Sequence, residues 1–166
     1  MGNVSIIVKQ ISKDIKLTQW SDIDYIAENL ISDIINQDDV KYYSYYHRLV
    51  GIINELMENA FKFSNKEDPV ISLKIKRENN DVTMEVINEV SVNQLEQLVK
   101  EQLVLSDTTT TAYKYNNALK GITVNNKRVG MGLIMLQEMY KAKTYIDYFK
   151  ENNTLFAKII TTYKLL

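Results

Sequence analysis

Apolar residues recur along this chain with two different periods. "SIIVKQ" from Ser5 reads as a short strand, and "SDIDYIAENLISDIINQ" then sets Ile23, Ile26, Leu30 and Ile34 at helical spacing behind Ser21, a plausible N-cap. A longer helical period runs from about Val40 to Ser64. The period then drops to two: "PVISLKIKRE" and "DVTMEVINEV" alternate apolar and polar residues around Asn79-Asn80-Asp81, which predicts a hairpin with one wet face. Helical spacing returns from Asn93 to Leu105, and Ser106 to Arg128 is polar and weakly periodic, the pattern of a mobile loop with at most one helical stretch. "GLIMLQEMYKAK" from Gly132 predicts a compact helix, and "TYIDYFKEN" with "TLFAKIITTYKL" predicts a second hairpin joined by Asn152-Asn153. The lone proline, Pro69, falls between a helical and a strand pattern, where a breaker belongs. No internal repeat or linker composition divides the chain, so residues 1–166 read as one domain.

Composition narrows the chemistry. A net charge of −1 gives no bulk field for nucleic acid or an anionic membrane, so any anion site must be local. Zero cysteines and a single histidine, His47, exclude thiolate zinc sites, cysteine nucleophiles and multi-histidine metal centres. With no apolar run long enough to span a bilayer and no secretory pattern at the amino terminus, the expectation is a cytoplasmic protein.

The helix of "NELMENAFKFS" carries the candidate chemistry. At about 100° per residue, setting Glu55 at zero places Arg48 near about 20°, Asn59 near about 40° and Lys62 near about −20°. These four share a face, and Leu49, Ile53, Leu56, Met57 and Ala60 lie on the other side. Geometry alone fits a solvated stripe knitted by i,i+3 and i,i+4 pairs. The chemical content points further, because a carboxylate, a carboxamide and an ammonium on successive turns could serve as base, hard-cation ligand and phosphate contact. Downstream, "VGMGL" places Gly130 and Gly132 immediately before a strong helix pattern, where bare backbone N–H groups and the helix dipole favour anions.

Together these two segments resemble the GHKL superfamily of Bergerat-type ATP-binding domains, found in histidine kinases, gyrase, Hsp90, MutL and anti-sigma-factor serine kinases. "NELMENAFKFS" is similar to the N-box and "VGMGLIMLQ" to the glycine box, in order and spacing. The resemblance implies a two-layer α+β fold, a mixed β-sheet with helices packed on one face. In it residues 1–39 form an N-terminal strand and helix, residues 40–166 the nucleotide-binding core, and about 106–129 the ATP lid. It also implies ATP and Mg²⁺ as cofactors, Glu55 as general base or water-positioning group, Asn59 as the Mg²⁺ ligand, Lys62 as a phosphate contact, and Gly130 and Gly132 as the backbone floor beneath the phosphates. Arg128 is either a surface arginine or a reach toward the γ-phosphate from the closing lid.

One family element is altered. Where D-x-G-x-G is expected after the second hairpin strand, this chain has "VINEVS": Asn88 replaces the adenine-binding Asp, and both glycines are missing. Asn88 still offers an acceptor to the adenine edge, whereas Glu89 and Val90 could obstruct it. A strand ending in Asn before a helix is similar to small standalone bacterial regulators of the superfamily. That likeness implies a serine/threonine kinase of partner-switching signalling whose protein partner is a STAS-like anti-anti-sigma factor. Two alternatives stay open: a catalytically inactive pseudo-ATPase that binds a protein, and a detached histidine-kinase catalytic domain. With fewer than fifty residues before the N-box helix, the expectation is that no dimerisation and phosphoacceptor domain is attached. His47 reads as structural or surface, the four threonines from Thr108 as lid composition, and "KYYSYYHR" as core packing or a homodimer contact rather than a base-stacking platform.

Overall fold

The computed structural model describes residues 7–11, 27–32, 34–35, 40–64, 71–107 and 131–165. Strand β1 is Ile7–Ile11; a helical segment, α1, covers 27–32; helix α2 is Tyr42–Lys62. Strands β2 (Ile71–Glu78) and β3 (Asp81–Glu89) follow, then α3 (Val92–Ser106), α4 (Met131–Glu138), β4 (Lys143–Glu151) and β5 (Thr154–Lys164).

The five strands form one sheet in the order β1-β2-β3-β5-β4, and every pairing is antiparallel. The two-layer α+β expectation therefore holds, but the sheet is antiparallel rather than mixed. The reason is local: each hairpin pairs with itself, β5 returns against β3, and β1 joins the free edge of β2 in the opposite direction. Both hairpin turns use asparagine in left-handed backbone. Asn79 has φ 55°, and Asn152 and Asn153 have φ 47° and 65°, a conformation asparagine tolerates better than most residues.

Alternation fixes which sheet face is covered. Ile71, Leu73 and Ile75 on β2, Val82, Met84 and Val86 on β3, and Ala157, Ile159 and Tyr163 on β5 are all buried, and the register sets them side by side. Against them α2 buries Tyr45, Leu49, Ile52, Ile53, Leu56, Met57 and Ala60. Full burial of one such large apolar side chain is worth about 1.5–3 kcal/mol, so this stripe decides how α2 seats. Ala27, Leu30, Ile31, Ile34 and Ile35 join the same core, and Arg77 Nη1 donates to Ile34 O at 2.8 Å, tying the segment after α1 to β2. Thr161, on the covered face, is satisfied by the Thr144 hydroxyl at 3.1 Å.

Helix α3 is capped by a reciprocal box: Ser91 Oγ accepts from Gln94 N, and Gln94 Oε1 accepts from Ser91 N at 2.7 Å. Its Gln102 Oε1 accepts from Ile146 N at 2.9 Å, so the helix closes part of the edge that β4 would otherwise present. Helix α4 is shorter than the predicted Gly132–Lys143. It ends in a wide turn, where Met139 and Tyr140 N–H both reach Met135 O and Ala142 N–H reaches Leu136 O past Lys141, whose φ is 56°.

Candidate functional site at the α2–α4 contact

The polar stripe of α2 is covered at Glu55 and Asn59, because the first turn of α4 lies against it there. A β-carbon placed on Gly132 would stand 2.6 Å from Glu55 Oε2 and 2.9 Å from Asn59 Nδ2, so any side chain here would require Glu55 and Asn59 to shift. Two turns away, a β-carbon on Gly51 would stand 2.7 Å from Cζ of Tyr140. The two helices are therefore antiparallel, and a glycine sits at each of these two contacts. The "NELMENAFKFS" and "VGMGL" segments, distant in sequence, meet at Glu55, Asn59 and Gly132.

Asn59 is buried, and its Nδ2 turns back to donate to Glu55 O at 2.8 Å. With the nitrogen engaged, the oxygen is the atom left to ligate a hard cation. Glu55 is half-buried, and its carboxyl titrates above the ordinary carboxylate range because burial strips its hydration, with the negative charge of Glu58 adding to the shift. A carboxyl moved in this direction is a better proton acceptor near neutral pH than a free carboxylate. Among the described residues no group of three or more His, Asp or Glu side chains could hold a metal by itself.

Asn88 sits on the covered face at the end of β3, between Ile71 and Ala157 in register, and is 1% exposed. Its Nδ2 lies 3.2 Å from both Ala60 O and Phe63 O, carbonyls at the end of α2 that have no partner within the helix. Gln94 Nε2 donates to the next such carbonyl, Ser64 O, at 2.8 Å. The β3–α3 junction thus closes the carboxyl end of α2, which explains an amide at position 88: a carboxylate would bring no donor to two buried carbonyls. Asn88 Oδ1 is buried with no hydrogen-bond partner. Val90, at a position where the resembled D-x-G-x-G pattern has a glycine, is buried, and its N–H donates to Leu155 O at 2.9 Å.

The remaining expected site residues are distributed differently. Arg48 shares the helix face but donates from Nη1 to Tyr163 Oη on β5 at 3.1 Å, so it braces α2 against the sheet. Lys62 is exposed in the last turn of α2 with its ammonium 4.8 Å from the Phe63 ring centroid. Arg128 and Gly130, and all but the first two residues of the expected lid, lie outside the described residues. His47 is exposed, edge-on to Tyr46 at 5.5 Å.

Sequence reasoning missed two features. The capping box was readable in "SVNQ" as S-x-x-Q. Gly51, a glycine inside a helical pattern, marked a close approach, but its occupant Tyr140 is 89 positions away and carried no mark of the pairing. Among the described residues no helix is long and apolar enough to cross a membrane.

No family model and no curated protein matches the chain. Among solved structures it is similar to the catalytic domain of the histidine kinase ThkA in a nucleotide-free form, with a TM-score of 0.38 and 12% identity over 95% of each chain.

Proposed function

We propose that this chain is an ATP-binding regulatory domain of the GHKL type that transfers phosphate to a serine or threonine of a protein partner. The observation that carries the reading is the seat of Gly132 against Glu55 and Asn59. It joins a carboxylate, a carboxamide and a helix amino terminus, which are the groups that N-box and glycine-box chemistry requires.

Asn59, through its oxygen, would hold Mg²⁺ together with the nucleotide phosphates, and the backbone N–H groups of the α4 first turn would meet phosphate oxygens. Bound Mg²⁺ supplies charge neutralisation on the phosphates during transfer. Glu55 accepts the proton of the partner's hydroxyl as that oxygen bonds to the γ-phosphorus and the bond to the β,γ-bridging oxygen breaks, leaving ADP. Asn88 Oδ1 would accept from the amino group of the base, its Nδ2 being held by α2. Lys62 would contact phosphate in this reading, and Gly130 and Arg128, outside the described residues, keep the phosphate-facing roles expected of them from the sequence. The partner class proposed is a STAS-like anti-anti-sigma factor in a cytoplasmic partner switch.

A second reading is favoured by one specific feature. Val90 is buried and bonded to β5 where the resembled pattern has a glycine, which fits a pseudo-ATPase that binds its partner without turnover. Thermal unfolding with and without ATP and Mg²⁺ separates the two. At 100 times Kd a ligand stabilises by about 2.7 kcal/mol, and for a chain of 166 residues this raises Tm by roughly 5–10 °C. A flat Tm at millimolar nucleotide favours the pseudo-ATPase and removes the kinase reading.

A further inference from the structure

Helix α4 is held to the core by Leu133, Ile134 and Leu136, all buried. Apolar burial is non-directional and does not by itself fix how far a helix slides or rotates along its neighbour. The site nevertheless needs that placement to be tight, since a β-carbon on Gly132 would already require Glu55 and Asn59 to shift. Something must set the register of α4 on α2.

We infer that Tyr140, seated in the notch left by Gly51, is a positioning residue that sets the approach of the α4 first turn to Glu55 and Asn59. The proposal rests on the site reading above but adds residues that take no part in its chemistry. Gly51 leaves α2 without a side chain at one point, and the phenol of Tyr140 fills it: a β-carbon there would overlap Oη and lie 2.7 Å from Cζ and 3.1 Å from Cε1. Tyr140 is itself fixed at its backbone, because its N–H and that of Met139 share Met135 O, at 3.3 and 2.9 Å, and Ala142 closes the turn on Leu136 O. Residues 51 and 59 on α2 face residues 140 and 132 in reverse order, each pair eight apart, so one contact at each end fixes both slide and rotation.

The test compares Gly51→Ala, Tyr140→Leu and Tyr140→Phe in the full chain. Two readouts are used at a temperature where circular dichroism finds each variant folded: the backbone amide resonance of Gly132 without nucleotide, and Kd for ATP with Mg²⁺ by calorimetry. The expected result is a displaced Gly132 resonance and a tenfold or larger rise in Kd for Gly51→Ala and Tyr140→Leu, with Tyr140→Phe shifted less than Tyr140→Leu because it keeps the ring and gives up only Oη. An unmoved Gly132 resonance in Tyr140→Leu overturns the inference, as does a Tyr140→Phe protein as impaired as Tyr140→Leu. If the parent binds no nucleotide, the nucleotide reading fails by itself and the amide resonance alone decides the positioning role. Should Gly51→Ala fail to fold, Tyr140→Leu carries the test.

Discussion

The side-chain nitrogen of Asn88 lies 3.2 Å from Phe63 O, so the end of β3 closes the end of α2. The same nitrogen reaches Ala60 O, and neither carbonyl has a donor within the helix. This relationship decides what position 88 tolerates. Asn88→Asp, which restores the residue typical of the resembled family, should destabilise the chain by about 1–3 kcal/mol or more at neutral pH, since a carboxylate leaves both buried carbonyls unsatisfied. The loss should shrink in acid, where a protonated Asp regains one donor. Urea denaturation of the variant at two pH values checks this, and a variant as stable as the parent at neutral pH would contradict the clamp.

Asn59→Ala should abolish Mg²⁺-dependent nucleotide binding in a calorimeter. The fold should survive with a loss of about 0.5–1.5 kcal/mol, because the variant gives up the single bond from Nδ2 to Glu55 O. Undiminished Mg²⁺-dependent binding removes the ligand assignment.

Gly132→Ala introduces a β-carbon 2.6 Å from Glu55 Oε2, and the overlap should reduce stability by about 1–3 kcal/mol. Shortening the opposing side chain in Gly132→Ala/Glu55→Ala should recover part of that stability without recovering phosphate transfer. Denaturant melts of the two single variants and the double variant give the coupling directly, and additive effects would mean the residues do not touch.

The folded Glu55 carboxyl titrates above its ordinary 4.5, so the folded chain binds that proton more tightly than the unfolded chain. The stability it contributes is fully present below 4.5 and is lost as pH rises through the raised value. Glu55→Gln removes this dependence. The variant should melt above the parent at neutral pH, with the difference vanishing as pH falls to the ordinary value, and transfer should be lost throughout. A Tm difference independent of pH would place the carboxyl in water.

Ser91→Ala should destabilise by about 1 kcal/mol through loss of the α3 cap. Gln94→Ala should cost more, because Gln94 also donates to Ser64 O at 2.8 Å and so serves α2 and α3 together. Guanidinium titrations rank the two, and equal losses would leave the second contact without weight.

Much of this molecule was legible in one dimension, because local physics acts over a few residues. A period of two in "ISLKIKRE" and "DVTMEVINE" gave both strands and their covered face, and asparagine pairs gave both turns. The 3.6 period gave α2 to within two residues at each end and correctly put Leu49, Ile53, Leu56, Met57 and Ala60 in the core. The motif residues Glu55, Asn59 and Gly132 could be singled out by residue type and spacing, and the fold brings them together. What the polar side of α2 faces could not be read, because a stripe of Glu, Asn and Lys has the same pattern whether it meets water or another helix. Tertiary packing answered that by laying α4 across Glu55 and Asn59, drawing Arg48 to Tyr163 and filling Gly51 with Tyr140. It also gave Asn88 its donor role, which depends on carbonyls 25 and 28 residues earlier in the chain. Periodicity reports which side of an element is apolar; only long-range contact decides which partner the polar side meets.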